Sequence, residues 1–493
     1  MVHNVCDELS AVLQTDYNIS ESVIKGIVDD PIYARNLFTC RSEYEYLHYL
    51  LRHPPAKTEK KYQNKELIAE AKAILNKWIH TVQAQNRKNA YEEKFRGYFN
   101  KKSSCASCSS ASSPVSGNFR EVYLDHNATT YVREEIKEEL DSYRKDPHIF
   151  FNPSSNSAQG EYTSDIIYNA RTSLADALGV TTDEIYFTGS GSEANNLAIK
   201  GIALKHLKSK GHIITARTEH LSVLGVMEYL ESLGFSITYL DPDRFGAVSP
   251  ESVRQAIKDT TILVSIMAAN NEVGTINPVK EIGSVCTECN VPFHVDAIQA
   301  FCKIPLYPED WGISLLSVSG HKVYAPKGVG ALYIRTGISL TPLIHGGGQE
   351  TGLRAGTENI ESILAFGKAV ELLYGDMDAE NKRLIALKDY FLKELRAIEP
   401  GIIINGEEKK RLPNNLSVSF PGADSGDLIY TLSKYGISVS ASSACSSRKI
   451  KTSHVLIAIG VNTEEFGTIR FGFGLKNTKE DLDYVLECLR VIL

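Results

Sequence analysis

Four short segments decide how this chain folds: GHIITA (211–216), FSITYL (235–240), TILVSIMAA (261–269) and VPFHVDA (291–297). Each is a run of β-branched and apolar residues of strand length. Between them lie amphipathic stretches such as SPESVRQAIKD (249–259), with apolar residues at helical spacing. Strand and helix in alternation predict an α/β domain on a mostly parallel sheet. In such a sheet the functional residues gather where the strands end.

Moving outward, the strand IYF is followed by TGSGSEANNLAIKG (188–201), whose glycines open a helical pattern. Free N–H groups and the positive end of a helix dipole make a phosphate seat there, although an ordinary strand-to-helix turn reads the same way. TEHLSV places His220 just after a strand, where a lone histidine is as readily structural. ANNEVG offers Asn270, Asn271 and Glu272 at another strand end, a run that also reads as a turn. In HVDAIQAF, Asp296 closes a strand and is placed either to cap the next helix or to pair with a cation. SVSGHKVYAPKGVGALYI (317–334) presents Lys322 after a further strand. Phosphate seat, ring-nitrogen carboxylate, aromatic-stacking histidine and amine are together what pyridoxal 5'-phosphate requires.

Toward the C-terminus, from about Asn359, a long helical pattern leads into NNLSVSF, GISVSA and TIRFGFG. This predicts a smaller α+β lobe. Toward the N-terminus the character changes. KKSSCASCSSASSPVSGN (101–118) is Ser-rich and reads as a linker. Upstream, SEYEYLHYLLRHPP and NKELIAEAKAILNKWIHTV have helical periodicity, and prolines stop the first. The expected organisation is therefore a helical domain over 1–100, a linker over 101–118, a large domain over 119–358 and a small domain over 359–493.

Composition narrows the functional class. The 493 residues are 43% hydrophobic and 23% charged, the balance of a globular protein with a sizeable core. A net charge of −7 gives no reason to expect nucleic-acid or anionic-membrane binding. Residues 1–118 carry 16 Lys/Arg against 13 Asp/Glu, a net +3 that is too small to change this. No apolar run reaches membrane-spanning length, and MVHNVCDELSAVLQTDYN lacks the features of a signal peptide. Nine cysteines, an odd number spread over a long chain, point to reduced thiols in a cytoplasmic protein.

From about Phe119 onward the chain resembles the NifS/IscS-type cysteine desulfurases, fold-type I pyridoxal-phosphate enzymes of the class V aminotransferase family. The motifs that carry the resemblance occur in the family's order: YLDHNATT, TGSGSEANNLAIKG, TEH, NNEVGTINPV, HVDAIQ, SGHKVYAPKGVGALY, HGGGQETGLRAGTEN and SSACSS. It implies a large mostly parallel-sheet domain and a small α+β C-terminal lobe, here preceded by a small all-α domain. By the resemblance, Lys322 attaches the cofactor's aldehyde, and Gly191, Ser192, Ser319 and His321 hold its phosphate. Thr357 reaches the phosphate of the other subunit of a homodimer. His220 stacks on the ring, Asp296 pairs with the ring nitrogen and Gln299 bonds the ring hydroxyl. Asn271 lies over cofactor and substrate, and Arg470 binds the substrate carboxylate.

The same resemblance makes Cys445 the sulfur-accepting nucleophile that converts L-cysteine to L-alanine and carries the sulfur as a persulfide to an acceptor. Arg448, Lys449 and Lys451 follow closely and favour its thiolate. The spacing from Cys445 to VLIAIG resembles the long-loop branch of the family. Family members devoted to iron–sulfur assembly carry a C-terminal tail beyond ECLRVIL that helps dock their scaffold, so the expectation here is a dedicated acceptor. Iron–sulfur assembly, tRNA thiolation and specialised sulfur metabolism all remain open, and docking that acceptor is the role expected of the N-terminal domain. The alternative enzyme is a selenocysteine lyase or another C–S lyase, for which Cys445 is dispensable. An assembly factor with an idle catalytic fold is opposed by intact Lys322, His220, Asp296 and Cys445. Cys105 and Cys108 read as idle thiols, a persulfide relay or part of a metal site. Cys286 and Cys289 read as part of a sheet-covering helix, and no metal site is expected.

Overall fold

The computed structural model describes residues 120–441 and 453–493. The helical domain and linker expected over 1–118, with Cys105 and Cys108, lie outside the described residues, as do Cys445, Arg448, Lys449 and Lys451.

The described chain opens with the short strand β1 (Val122–Tyr123) and then builds a seven-stranded sheet. Its strands are β2 (Ile185–Thr188), β3 (His212–Ala216), β4 (Ser236–Leu240), β5 (Thr261–Ser265), β6 (Phe293–Asp296), β7 (Leu315–Ser319) and β8 (Gly330–Ile334). The spatial order is β2-β8-β7-β6-β5-β3-β4. β8 pairs antiparallel with both neighbours, and the other pairings are parallel. The four segments that predicted the sheet are β3, β4, β5 and β6.

Successive strand side chains project to opposite faces, so one run of apolar residues feeds two cores. On one face Ile214, Val264, Leu316 and Tyr333 pack with the helices Ala158–Leu178 and Val279–Glu288. On the other, Ile213, Leu263, Leu315 and Leu332 pack with Gly191–Ala203 and Leu221–Ser232. Both faces being covered is what a parallel sheet demands. Cys286 is buried within Val279–Glu288 and Cys289 caps its C-terminus, as the sequence suggested. No cluster able to hold a metal occurs among the described residues. No described helix is long and apolar enough to cross a membrane.

The C-terminal lobe has the antiparallel strands β9 (Ile403–Asn405), β10 (Asn415–Pro421) and β12 (Phe466–Gly472), and the short β11 (Ile437–Ser438). Two features tie it to the large domain. β1 pairs in parallel with β11, and Val122 and Leu124 sit in the lobe's own core beside Phe471 and Phe473. The helix Ile360–Ile398, capped by Asn359, has 39 residues. That length is about 58 Å at the α-helical rise. Its first half buries Phe366 and Val370 in the large-domain core, and its second half buries Phe391 and Leu395 in the lobe.

Candidate active site

The loops after β2, β3, β5, β6 and β7 bring the expected residues to one edge of the sheet. After β2, Ser190 caps the helix Gly191–Ala203 by accepting from Glu193 N–H. Two glycines allow this helix end to pack closely against the sheet. A Cβ on Gly191 would lie 2.3 Å from Ile298 Cδ1, and one on Gly330 would lie 2.6 Å from the Ser190 carbonyl carbon. Beside Gly191 stands Ser319, 2% exposed, whose Oγ has no hydrogen-bond partner among the described residues. Burying a hydroxyl unpaired is costly unless a ligand completes it. His321 follows, its Nδ1 3.1 Å from Thr129 Oγ1, and burial pushes its pKa down to about 4. Ser192 and Thr357 are exposed.

Asp296, at the end of β6, is 3% exposed. Its Oδ1 accepts from Ile298 N–H at 3.0 Å and its Oδ2 from Asn195 Nδ2 at 2.8 Å. The chain continues after Asp296 as a turn and not as the expected helix, so its carboxylate caps that turn through Ile298 N–H. The same Asn195 amide donates to Ser222 Oγ at 2.9 Å, and Ser222 in turn lies 2.8 Å from His220 Nδ1. His220 is the N-cap of Leu221–Ser232, its Nδ1 accepting from Ser222 N–H. That assigns the ring proton to Nε2 in the neutral form. Burial lowers the His220 pKa, with Asp296 opposing, and burial raises that of Asp296, with His220 opposing. A desolvated carboxylate of this kind gains most from a cationic partner.

Lys322 follows β7, its Nζ donating to the carbonyls of Asn127 and Ala128 at 2.6 Å each. Asn127 also exchanges two hydrogen bonds with Gln299: Gln299 Nε2 donates to its carbonyl and its Nδ2 donates to Gln299 Oε1. After β5, Asn270 holds the turn by accepting from Glu272 and Val273 N–H, so the turn reading belongs to Asn270. Asn271 instead offers its carbonyl to Arg470 Nη1 at 3.0 Å. Arg470, on β12 and 2% exposed, pairs with Asp125 through Nη2 at 2.7 Å.

Local sequence pattern assigns no role to Asp125, Asn127 or Asn195. The first two lie in YLDHNATT and the third in SEANN, both quoted motifs, but only the folded contacts reveal what these residues hold.

Residues 122–485 match the aminotransferase class-V family. The cysteine desulfurase IscS of Dictyoglomus turgidum is 48% identical over 376 residues, covering 76% of this chain and 95% of its own length. The chain belongs to the cysteine desulfurase family. It shares 45% identity with the IscS of Methanosarcina thermophila, over 77% of this chain and 93% of that protein. Among solved structures, a NifS-like protein superposes with a TM-score of 0.71 at 38% identity, covering 76% of this chain and 99% of its own. SspA in complex with cysteine gives 0.63 at 38% identity, covering 71% and 98%. The family is dependent on pyridoxal phosphate, and the fold is that of its fold-type I members. The residues fit that group: an unpaired buried Ser319 hydroxyl beside a glycine-lined helix end, a desolvated Asp296 and a tethered lysine amine.

Proposed function

We propose that this enzyme converts L-cysteine to L-alanine and passes the sulfur, as a persulfide on Cys445, to a protein acceptor. The observation that carries the reading is the convergence of Lys322, His220 and Asp296 on one sheet edge, with Asn195 and Ser222 linking the last two. Gly191, Ser192, Ser319 and His321 hold the cofactor's phosphate, joined by Thr357 of the second subunit of a homodimer. Asp296 would pair with the ring nitrogen, Gln299 would bond the ring hydroxyl and His220 would stack on the ring. When bound, pyridoxal phosphate supplies an aldehyde for the lysine and a ring that withdraws the electrons left when a proton departs.

The chain's own residues do the rest. Asn271 and Arg470 orient the substrate, the guanidinium taking its carboxylate. Arg470 is already engaged by Asp125, so its plane is set before substrate arrives. Lys322 Nζ takes the Cα proton, and His220 Nε2 is the second group able to move one. Cys445 thiolate attacks the substrate sulfur. The Sγ–S bond forms as the Cβ–S bond breaks, its electron pair staying with carbon; one proton delivered to Cβ and one returned to Cα from Lys322 Nζ yield alanine.

Residues 1–100 dock the acceptor, whose pathway is iron–sulfur assembly, tRNA thiolation or specialised sulfur metabolism. The free thiols of Cys286, Cys289, Cys302 and Cys488 suit a reducing compartment, and we place the enzyme in the cytoplasm. Borohydride reduction and peptide mapping test the centre of the reading. The label is expected on Lys322, and Lys322→Ala is expected to lose turnover by at least about 10³-fold. A label elsewhere, or full activity in that variant, sinks it.

A further inference from the structure

A cavity of about 30 Å³ lies behind the turn that carries Lys322. Its wall is shared by Lys303 and Lys322 of the large domain, Glu380 and Asn381 of the long helix, and Asn414 of the C-terminal lobe. Two polar groups in this wall are under-used. The Lys303 ammonium has three donors and, among the described residues, makes one hydrogen bond, to the Lys322 carbonyl at 3.3 Å. Asn414 is 3% exposed, and its Oδ1 has no partner among the described residues. The Lys303 backbone is fixed from the long helix, because Asn381 Nδ2 donates to its carbonyl at 2.8 Å.

The occupant follows from size and polarity. A space of this volume admits one or two water molecules, and a buried water is held by two to four polar partners. An anion would face the Glu380 carboxylate and the Asn414 oxygen, and a cation would face Lys303. A neutral molecule that both accepts and donates satisfies the two under-used groups at once.

We propose that an ordered water in this cavity accepts from Lys303 Nζ and donates to Asn414 Oδ1, making Lys303 a positioning residue that fixes the Lys322 turn and ties it to the C-terminal lobe. The proposal rests on the role of Lys322 given above. Lys303 acts on the backbone end of that lysine, while Asn127 and Ala128 hold its amine, so both ends of the side chain are anchored. Burial lowers Lys303 to about 8, with Cys302 opposing. The titratable groups around it are Cys302 on its own loop, His126, His321, Lys322 and Tyr324, with Glu380 and its partner Arg383 on the long helix. Its charge disfavours a second cation at the Lys322 nitrogen.

The test uses the full-length holoenzyme with Lys303→Met, Lys303→Arg and Asn414→Leu. It reads kcat and KM for L-cysteine, and the pH midpoint of the bound cofactor's visible band. Lys303→Met is expected to lower kcat about tenfold with KM within about twofold. The midpoint should rise by about one pH unit as the cation is removed. Lys303→Arg should recover most of both, and Asn414→Leu should lower kcat about threefold. A crystal structure of the wild type should show density between Nζ and Oδ1 that is missing in Asn414→Leu. Lys303→Met matching wild type in kcat and midpoint, or an empty wild-type cavity beside other ordered buried waters, overturns the proposal. If Lys303→Met fails to fold, Asn414→Leu decides: a wild-type kcat in that variant, or density between the two positions that survives in it, overturns the proposal. A borohydride label away from Lys322 removes the underlying reading instead, so the two failures are told apart.

Discussion

Asp296 and Arg470 are both almost inaccessible charged groups of one site, yet they are held in opposite ways. The direct partners of Asp296 are neutral, the Asn195 amide and the Ile298 N–H, and burial raises its pKa. Arg470 already has a carboxylate, Asp125, at 2.7 Å. In the proposed function the cofactor half is thus built around a carboxylate short of positive charge, which a protonated ring nitrogen would supply. In the proposed function the substrate half is built around a cation already compensated by Asp125, which would present a fixed plane. Changes in the first should strike the chemical step, and changes in the second should strike affinity.

The largest effect that separates these halves is expected from Asp296→Asn. It keeps the shape but removes the charge the ring nitrogen needs, so kcat should fall on the order of 10³-fold with KM little changed. A change in KM alone would break the comparison. Next comes Cys445→Ser, which replaces a residue proposed for neither cofactor nor substrate binding. It should still bind L-cysteine, as judged by a change in the cofactor's visible spectrum. Persulfide should vanish and alanine formation should fall about 100-fold. Alanine at the normal rate would make this a C–S lyase.

A smaller effect is expected from Arg470→Lys. One ammonium cannot reproduce two parallel N–H bonds, so KM for cysteine should rise about tenfold while kcat stays within about threefold. If kcat falls as far as it does in Asp296→Asn, the two halves are not separable.

The halves also differed in how far the sequence could reveal them. Lys322, His220 and Asp296 follow strands whose β-branched runs are local signals, so their convergence could be read without a structure. Asn195 was hidden, because its two partners stand 27 and 101 residues away and no periodicity records such a pairing. Asp125 was hidden for the same reason, 345 residues from Arg470. The pairing of β1 with β11 was equally silent, since two residues are too few to show alternation. The helix Ile360–Ile398 announced itself by its pattern, but one apolar stripe serving two cores looks like any long amphipathic helix.

The smallest effect on activity is expected from a residue beside the site that takes no part in it. His294, on β6 two residues before Asp296, is fully buried between Ser265 Oγ at 2.8 Å and Ser317 Oγ at 3.0 Å. Burial lowers its pKa to about 3. Above about pH 6.5 the imidazole is neutral in both folded and unfolded chains and contributes no pH dependence. Between 6.5 and 3 the unfolded chain binds a proton that the folded chain refuses, so stability falls as pH falls. By pH 5 the loss is about 2 kcal/mol, a drop in Tm on the order of a few degrees. His294→Gln keeps hydrogen-bonding capacity but cannot titrate, so its Tm should fall less steeply between pH 6.5 and 5. Its kcat at neutral pH should stay within about twofold of wild type, because no cofactor- or substrate-facing group is altered. An unchanged acid slope in His294→Gln would mean that other groups carry the acid sensitivity. The histidine would then be protonated more readily than its burial between two hydroxyls allows.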